Sequence, residues 1–327
     1  MPLLLTRRDV ESVLTMKDTL EAVEEGFRQL ALGQVVMPQR TAIRIADHHG
    51  LHLGMPALVG GAAGALGLKV VTVYPDNPAK YKLPTTIGTL LLNDPRTGAL
   101  VAIMDAGFLT AMRTGAASGV ATKHLARADA RTVGVFGAGV QARTQLLAVS
   151  EVRKIQRVLV CDVAAPTRDK FVQEMSARLG FPIEPTDDPL ACLDCDILIA
   201  ATSSRTPLFD GARLKPGTHI NGVGAHSPDA REFDLTAVKR SKFVADHAPA
   251  CLAEAGELII PIKEGALTEA AIHASLGDVV VGLKPGRTSA EEITFFKSCG
   301  LAVQDVATAA RVYQIAKARG VGVEITI

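Results

Sequence analysis

The sequence predicts an α/β protein: a doubly wound parallel sheet joined to a second, discontinuous α+β domain. Three observations predict it. A short apolar run, Thr132 to Phe136, ends in a glycine turn and passes directly into a helical stretch. From residue 131 to about 285, strand-like and helix-like segments alternate, as in a parallel sheet covered on both faces. Ahead of that stretch lies a set of strand-like segments divided by turns, and behind it a helical tail. A length of 327 residues suits two domains, since a single core rarely grows past about 250–300 residues.

Residues 15–33 have the pattern of an amphipathic helix. Thr15 and Asp18 resemble a capping box, and Leu20, Val23, Phe27 and Leu30 recur at three-to-four spacing. Strand-like segments follow at 41–46, 51–58, 67–73, 86–92 and 99–104. The turns between them, such as Tyr74-Pro75-Asp76-Asn77-Pro78 and Asn93-Asp94-Pro95-Arg96-Thr97-Gly98, make the set read as antiparallel. Residues 106–126, rich in Ala, Gly, Ser and Thr, read as a closely packed helix. Strands are then expected at 132–136, 157–162, 196–201, 219–223 and 242–246. The tail reads as helical from Phe295 onward and as returning to the first domain. The domains expected are therefore 1–125 with 302–327, and 126–301.

The turn Gly137-Ala138-Gly139-Val140-Gln141-Ala142 has the form G-x-G-x-x-A. Its first glycine permits a tight strand-to-helix turn, its second admits a pyrophosphate close to the backbone, and Ala142 allows the helix to pack near the strand. Phosphates would sit at the helix N-terminus, where N–H groups and the macrodipole favour anions. A second strand, Arg157 to Cys161, leads to Asp162, 25 positions after Gly137. That is near the 20-residue offset of the acid that binds a ribose diol in a Rossmann-type domain. Val163-Ala164-Ala165 follow it without a base to accept a 2′-phosphate. NAD(H) is expected in preference to NADP(H), with Arg168 as the nearest cation that leaves dual use open.

Composition excludes other classes. A formal net charge of +1 gives no footing for nucleic acid or an anionic membrane. No apolar run approaches the 18 or more residues of a membrane span, and the N-terminus lacks the pattern of a secretory signal. A cytoplasmic protein is expected. Five cysteines do not suit a disulfide scaffold. Cys192 and Cys195 form a C-x-x-C with no second pair, and His48-His49-Gly50-Leu51-His52 has no acidic or thiol partner, so no metal site is expected.

An ordered set of motifs resembles the ornithine cyclodeaminase/mu-crystallin family, which includes archaeal-type alanine dehydrogenases and ketimine or imino-acid reductases. Among its pieces are Pro38-Gln39-Arg40-Thr41, Gly67-Leu68-Lys69-Val70-Val71, Met112-Arg113-Thr114-Gly115-Ala116, Lys215 to Asn221, Pro228 to Glu232 and Phe296 to Gly300, running nearly end to end. The resemblance implies that Arg40 and Arg113 hold a substrate carboxylate beside a catalytic Lys69. Guanidinium forks suit a carboxylate better than point charges do. Lys69 also stands in an apolar segment, where nearby arginines would depress its proton affinity toward the range an acid/base needs. Further cofactor contacts implied are Thr85, Arg113, Gly137, Gly139, Val140, Gln141, Asp162, Thr202, Ser203, Asn221, Gly222, Val223 and Ser298. Arg44 and Cys299 join the substrate set.

His226 departs from the family, where the cyclodeaminases and the alanine dehydrogenase branch resemble one another in placing an Asp. Histidine exchanges protons near neutral pH but does not supply a fixed anion for a cationic side-chain amine. The reading is therefore an NAD(H)-dependent oxidoreductase acting at the α-carbon of a small amino or imino acid, of the alanine or iminosuccinate type, with Lys69 and His226 as catalytic candidates. Ornithine cyclodeaminase, a lyase regenerating its NAD, is the first alternative, and a non-enzymatic mu-crystallin-like ligand binder the second. By resemblance the first domain is expected to form a homodimer, which also covers exposed sheet edges.

Overall fold

Thr15 caps the helix that the hydrophobic spacing marks out, its hydroxyl accepting from the Asp18 N–H at 3.1 Å. The computed structural model describes residues 1–61 and 64–327, and the chain divides into two units: Met1–Arg113 with Leu301–Ile327, and Thr114–Gly300. In chain order the first unit runs β1 (Leu3–Leu5), α1 (Arg7–Val13), α2 (Met16–Ala31), β2 (Val35–Val36), β3 (Thr41–Ile45), β4 (Gly50–Val59), β5 (Ala65–Val73), α3 (Asn77–Tyr81), β6 (Thr86–Asn93) and β7 (Leu100–Asp105). Helix α4 (Gly107–Leu125) spans the division. The division falls inside this helix because Gly115 packs directly on second-unit backbone: a Cβ there would meet the Thr144 carbonyl oxygen at 2.4 Å.

The second unit continues with β8 (Thr132–Phe136), α5 (Val140–Val152), β9 (Arg157–Cys161), α6 (Ala165–Leu179), β10 (Ile183–Pro185), β11 (Ile197–Ala200), β12 (His219–Gly222), α7 (Leu235–Arg240) and β13 (Ser241–Ala245). Helices α8 (Ala248–Glu254) and α9 (Gly256–Lys263), strand β14 (Ile272–Ser275), helix α10 (Leu276–Val280) and strand β15 (Ile293–Lys297) complete it. The chain then returns to the first unit as α11 (Ala302–Arg319) and β16 (Val323–Glu324).

The first unit's sheet has the order β16-β1-β7-β6-β5-β4-β2, with β3 also on β4. Its pairings from β2 to β7 are antiparallel. Alternation along β5 buries Ala65, Gly67, Lys69 and Val71, and α11 lies against that face, since a Cβ on Gly67 would meet Val306 at 3.1 Å. By register Lys69 stands in a row with Met55, Leu90 and Met104, all buried. The opposite face is different. Leu4, Val36, Ile43, Leu58, Ile87 and Val323 share it by register and are all exposed.

The second unit's sheet is parallel throughout, in the order β10-β9-β8-β11-β12-β15-β13-β14. Its core is a chain of rings, Phe136, Phe209, Phe233, Phe295 and Phe243, with neighbouring centroids 5.4, 5.7, 4.6 and 4.9 Å apart. One element corrects the sequence reading. Phe295–Lys297 do not open the tail helix; they end the buried strand β15, between β12 and β13. Gly300, at φ +81°, breaks the chain before α11 begins. Cys192 and Cys195 both lie just before β11 in packed surroundings, and burial pushes their thiols up to about 12 and about 11, which keeps them protonated. Among the described residues no helix is long and apolar enough to cross a membrane.

Candidate active site

Lys69 is held on the covered face of the first unit's sheet and is only 1% exposed. An ammonium in a row of Met55, Leu90 and Met104 needs a counter-charge, and helix α11 brings one. The Lys69 Nζ lies 2.7 Å from Asp305 Oδ2, and Arg113 Nε lies 2.9 Å from Asp305 Oδ1. Arg113 Nη1 also donates to Gln304 Oε1 at 2.7 Å. Asp305 and Gln304 are fully buried in the first turn of α11, where the helix dipole also favours an anion. Burial pulls the Lys69 ammonium down to about 8; Asp305 opposes that shift, while the Arg113 and Arg40 charges add to it.

Three of the residues named from the sequence, Arg40, Lys69 and Arg113, are therefore electrostatically joined within the first unit. Arg40 is half-buried and immediately precedes β3. Arg44 is exposed on β3; its register partner is Leu51, whereas that of Lys69 is Met55. Those partners lie four positions apart on β4, about 13 Å. Thr85 is exposed, its carbonyl accepting from Tyr74 N–H at 2.8 Å. Asp305 and Gln304 were not singled out from the sequence. The available signal was a single charge, Asp305, in the otherwise uncharged run Leu301 to Ala310.

In the second unit the glycine turn leaves β8 with Gly137 at φ +87°, where a Cβ would meet the Ala201 carbonyl at 2.6 Å. A Cβ on Gly139 would meet nothing within 4 Å. Gly139 is the N-cap of α5 and makes no side-chain cap, Val140 is exposed, Gln141 is half-buried, and Ala142 is fully buried against the sheet side. That is open backbone space at a helix N-terminus, which fits a pyrophosphate. Asp162 is aimed by two backbone donors, Ala138 N–H at 2.7 Å and Ala164 N–H at 2.8 Å. Its carboxylate retains lone pairs for a ribose diol. Arg168 does not supply a phosphate-binding cation. Its guanidinium is buried and bound to Asp187, Asp169 and the Thr186 carbonyl.

Asn221, Gly222 and Val223 end β12, and Asn221 Nδ2 donates to Thr122 Oγ1 at 3.0 Å. Its Oδ1 is buried, and the His219 ring hydrogen-bonds to the Asn221 side chain. Thr202 and Ser203 follow β11, the first half-buried and the second exposed. Ser298 and Cys299 turn inward. The Ser298 hydroxyl donates to Asp246 Oδ2 at 3.0 Å, and the Cys299 thiol lies 3.8 Å from that of Cys251. His226 sits on an exposed loop with Nδ1 3.1 Å from the Gly224 carbonyl.

Known proteins resemble this chain along nearly its whole length. The sequence model of the ornithine cyclodeaminase/mu-crystallin family matches residues 1–320. The Δ(1)-pyrroline-2-carboxylate reductase of Thermococcus litoralis, solved with NADH and L-proline, is 47% identical with a TM-score of 0.95, covering 99% of this chain and 100% of that one. An archaeal alanine dehydrogenase dimer with bound NAD is 39% identical with a TM-score of 0.94, covering 100% of this chain and 99% of that one. The iminosuccinate reductase of Paracoccus denitrificans, solved with NAD+, is 30% identical with a TM-score of 0.90, covering 100% and 99%. The chain belongs to the ornithine cyclodeaminase/mu-crystallin family.

Proposed function

We propose that the protein is an NAD(H)-dependent reductase of an α-imino acid, acting reversibly as an amino-acid dehydrogenase. The observation that carries this reading is Lys69, buried on an Asp305 carboxylate that it shares with Arg113, its ammonium pulled down to about 8. Such a lysine exchanges protons near neutral pH, whereas an exposed lysine does not. Gly137, Gly139 and Asp162 would hold the dinucleotide, which when bound supplies the hydride for the α-carbon. Arg40 and Arg113 hold the substrate carboxylate. Lys69 Nζ gives its proton to the imine nitrogen and is reprotonated from solvent; in the reverse direction its neutral form takes the proton from the amine. Asp305 keeps Lys69 and Arg113 in place.

A monocarboxylic imine, linear or cyclic, suits this centre best. The second carboxylate of a dicarboxylic imine would find Arg44 too far along the strand from Lys69. The lyase reading has less support, because position 226 carries an exposed histidine in place of a fixed anion. A screen tests the function: NADH oxidation with ammonia plus pyruvate, with iminosuccinate and with cyclic α-imino acids, and chromatography of ornithine reactions. Net NADH loss with a monocarboxylic imine is expected. Proline formed from ornithine without net NADH change would establish the lyase, and no reaction with any of these would favour a binding protein.

Two further outcomes follow for the cofactor and the assembly. Val163 is fully exposed beside Asp162 and leaves room for a longer side chain. Asp162→Ser with Val163→Arg is expected to move preference toward NADPH. Equal parent efficiency with NADH and NADPH would contradict the role given to Asp162. The exposed apolar face of the first unit's sheet fits a second copy of the same face, the geometry of a two-fold dimer. Light scattering at micromolar concentration should give twice the 34.4 kDa chain mass, and a monomer mass would refute this. None of the five cysteines forms a disulfide, which suits the cytoplasm.

A further inference from the structure

Three ionisable side chains of the second unit, Glu232, Glu257 and Lys297, are 0%, 1% and 0% exposed, and the chemistry above uses none of them. Glu232 Oε1 accepts from Thr202 N–H at 2.9 Å and from the Thr202 hydroxyl at 2.8 Å. Its Oε2 accepts from Gly224 N–H at 2.8 Å and Ala225 N–H at 3.2 Å. Lys297 Nζ donates to the Ala225 carbonyl at 2.6 Å and pairs with Glu257 Oε2 at 3.0 Å. Glu257 Oε1 in turn accepts from Glu232 N–H at 3.0 Å. The segments are drawn so close that a Cβ on Gly224 would meet the Thr202 carbonyl at 2.3 Å.

We propose that Glu232 is a positioning residue for the nicotinamide half of the dinucleotide, latching together the segments that leave β11 and β12. The proposal rests on the dinucleotide reading above. Two features support it. First, four donors meet two carboxylate oxygens, so each lone pair has its own N–H or O–H, and only an acceptor on both oxygens satisfies them. Burial pushes the Glu232 carboxyl above the usual carboxylate range, and the positive charge of Lys297 opposes that shift. Second, the latch sits on one side of the sheet's switch point. Gly137 and Asp162 follow β8 and β9, whereas Thr202, Gly224 and Lys297 end or follow β11, β12 and β15. In a doubly wound sheet the dinucleotide lies across the crevice at that switch, with its two halves on opposite sides. The pyrophosphate and adenosine determinants are on the β8–β9 side, so the latched segments serve the other half.

The effect is separable from general stability. Glu232→Gln replaces one acceptor by an NH2 group and sets donor against donor at one of the two segments. Gly224→Ala forces the same segments apart with a single methyl and leaves the Glu232 side chain in place. Each variant, with the parent, is titrated with NADH and separately with ADP-ribose, which lacks the nicotinamide riboside. Both variants should bind NADH about tenfold more weakly and ADP-ribose within about twofold of the parent. Unchanged NADH affinity, or equal losses for both ligands, would overturn the proposal. A parent that binds neither ligand would instead overturn the dinucleotide reading on which it rests.

Discussion

Lys69→Ala lowers the turnover number for the best imine substrate by about 100- to 10,000-fold, the usual contribution of a positioned acid or base. NADH affinity should stay near the parent value, because Gly137, Gly139 and Asp162 belong to the other unit. The variant should fold. Asp305 keeps Arg113 Nε at 2.9 Å, so one buried anion still faces one buried cation. Lys69→Met fills the space left among Met55, Leu90 and Met104 and separates lost packing from lost chemistry. In the parent, kcat/KM for imine reduction should fall as pH rises through about 8, where Lys69 loses its proton. In the oxidative direction the neutral amine is the active form, so kcat/KM should fall as pH drops through about 8. Both limbs report the free enzyme. Near-parent turnover in Lys69→Ala would remove Lys69 from the reaction and leave His226 as the candidate.

Asp305→Asn has the second largest expected effect, on stability and on the pH profile together. It removes the anion shared by Lys69 and Arg113 and leaves two buried cations facing each other. Breaking a buried pair in this way costs about 3–5 kcal/mol, readable by urea unfolding at neutral pH. Asp305 favours the protonated form of Lys69, so its loss should move the reductive limb to lower pH, by about 1–3 units. At neutral pH a larger share of Lys69 would then be neutral and imine reduction slower. A variant within about 1 kcal/mol of the parent, with its limb still near 8, would show that Asp305 is a bystander.

What the sequence disclosed follows from how local each signal was. The glycine turn, the Thr15 cap and the strands from Thr41 to Asp105 are written in turn residues and alternation, which act over a few positions. Strand β15 was misread because a strand buried on both faces of a parallel sheet shows no alternation. Its apolar residues run on toward the helix that follows, and its neighbours β12 and β13 are distant in sequence. The two-residue strand β2 and the three-residue strands β1 and β10 carry too little pattern to detect. Lys69 was visible as a cation in an apolar segment. Asp305 was not, because an acid in a helix's first turn already has an ordinary explanation in the dipole. Only the packing of α11 on the sheet face that carries Lys69 shows that its carboxylate is buried against two cations. Glu232 and Lys297 lie within the motifs that carry the family resemblance, but their electrostatic influence on each other depends on bringing three strand ends together.

The central claim is hydride transfer to the α-carbon of an imino acid. The most direct measurement is the fate of deuterium from NADH labelled at the transferring position, with the imine substrate and the amino-acid product followed by mass spectrometry and proton NMR. One deuterium at Cα for each NADH consumed is expected, with about 100- to 10,000-fold less labelled product from Lys69→Ala over the same time. Product without deuterium, or product formed while NADH stays constant, would contradict it.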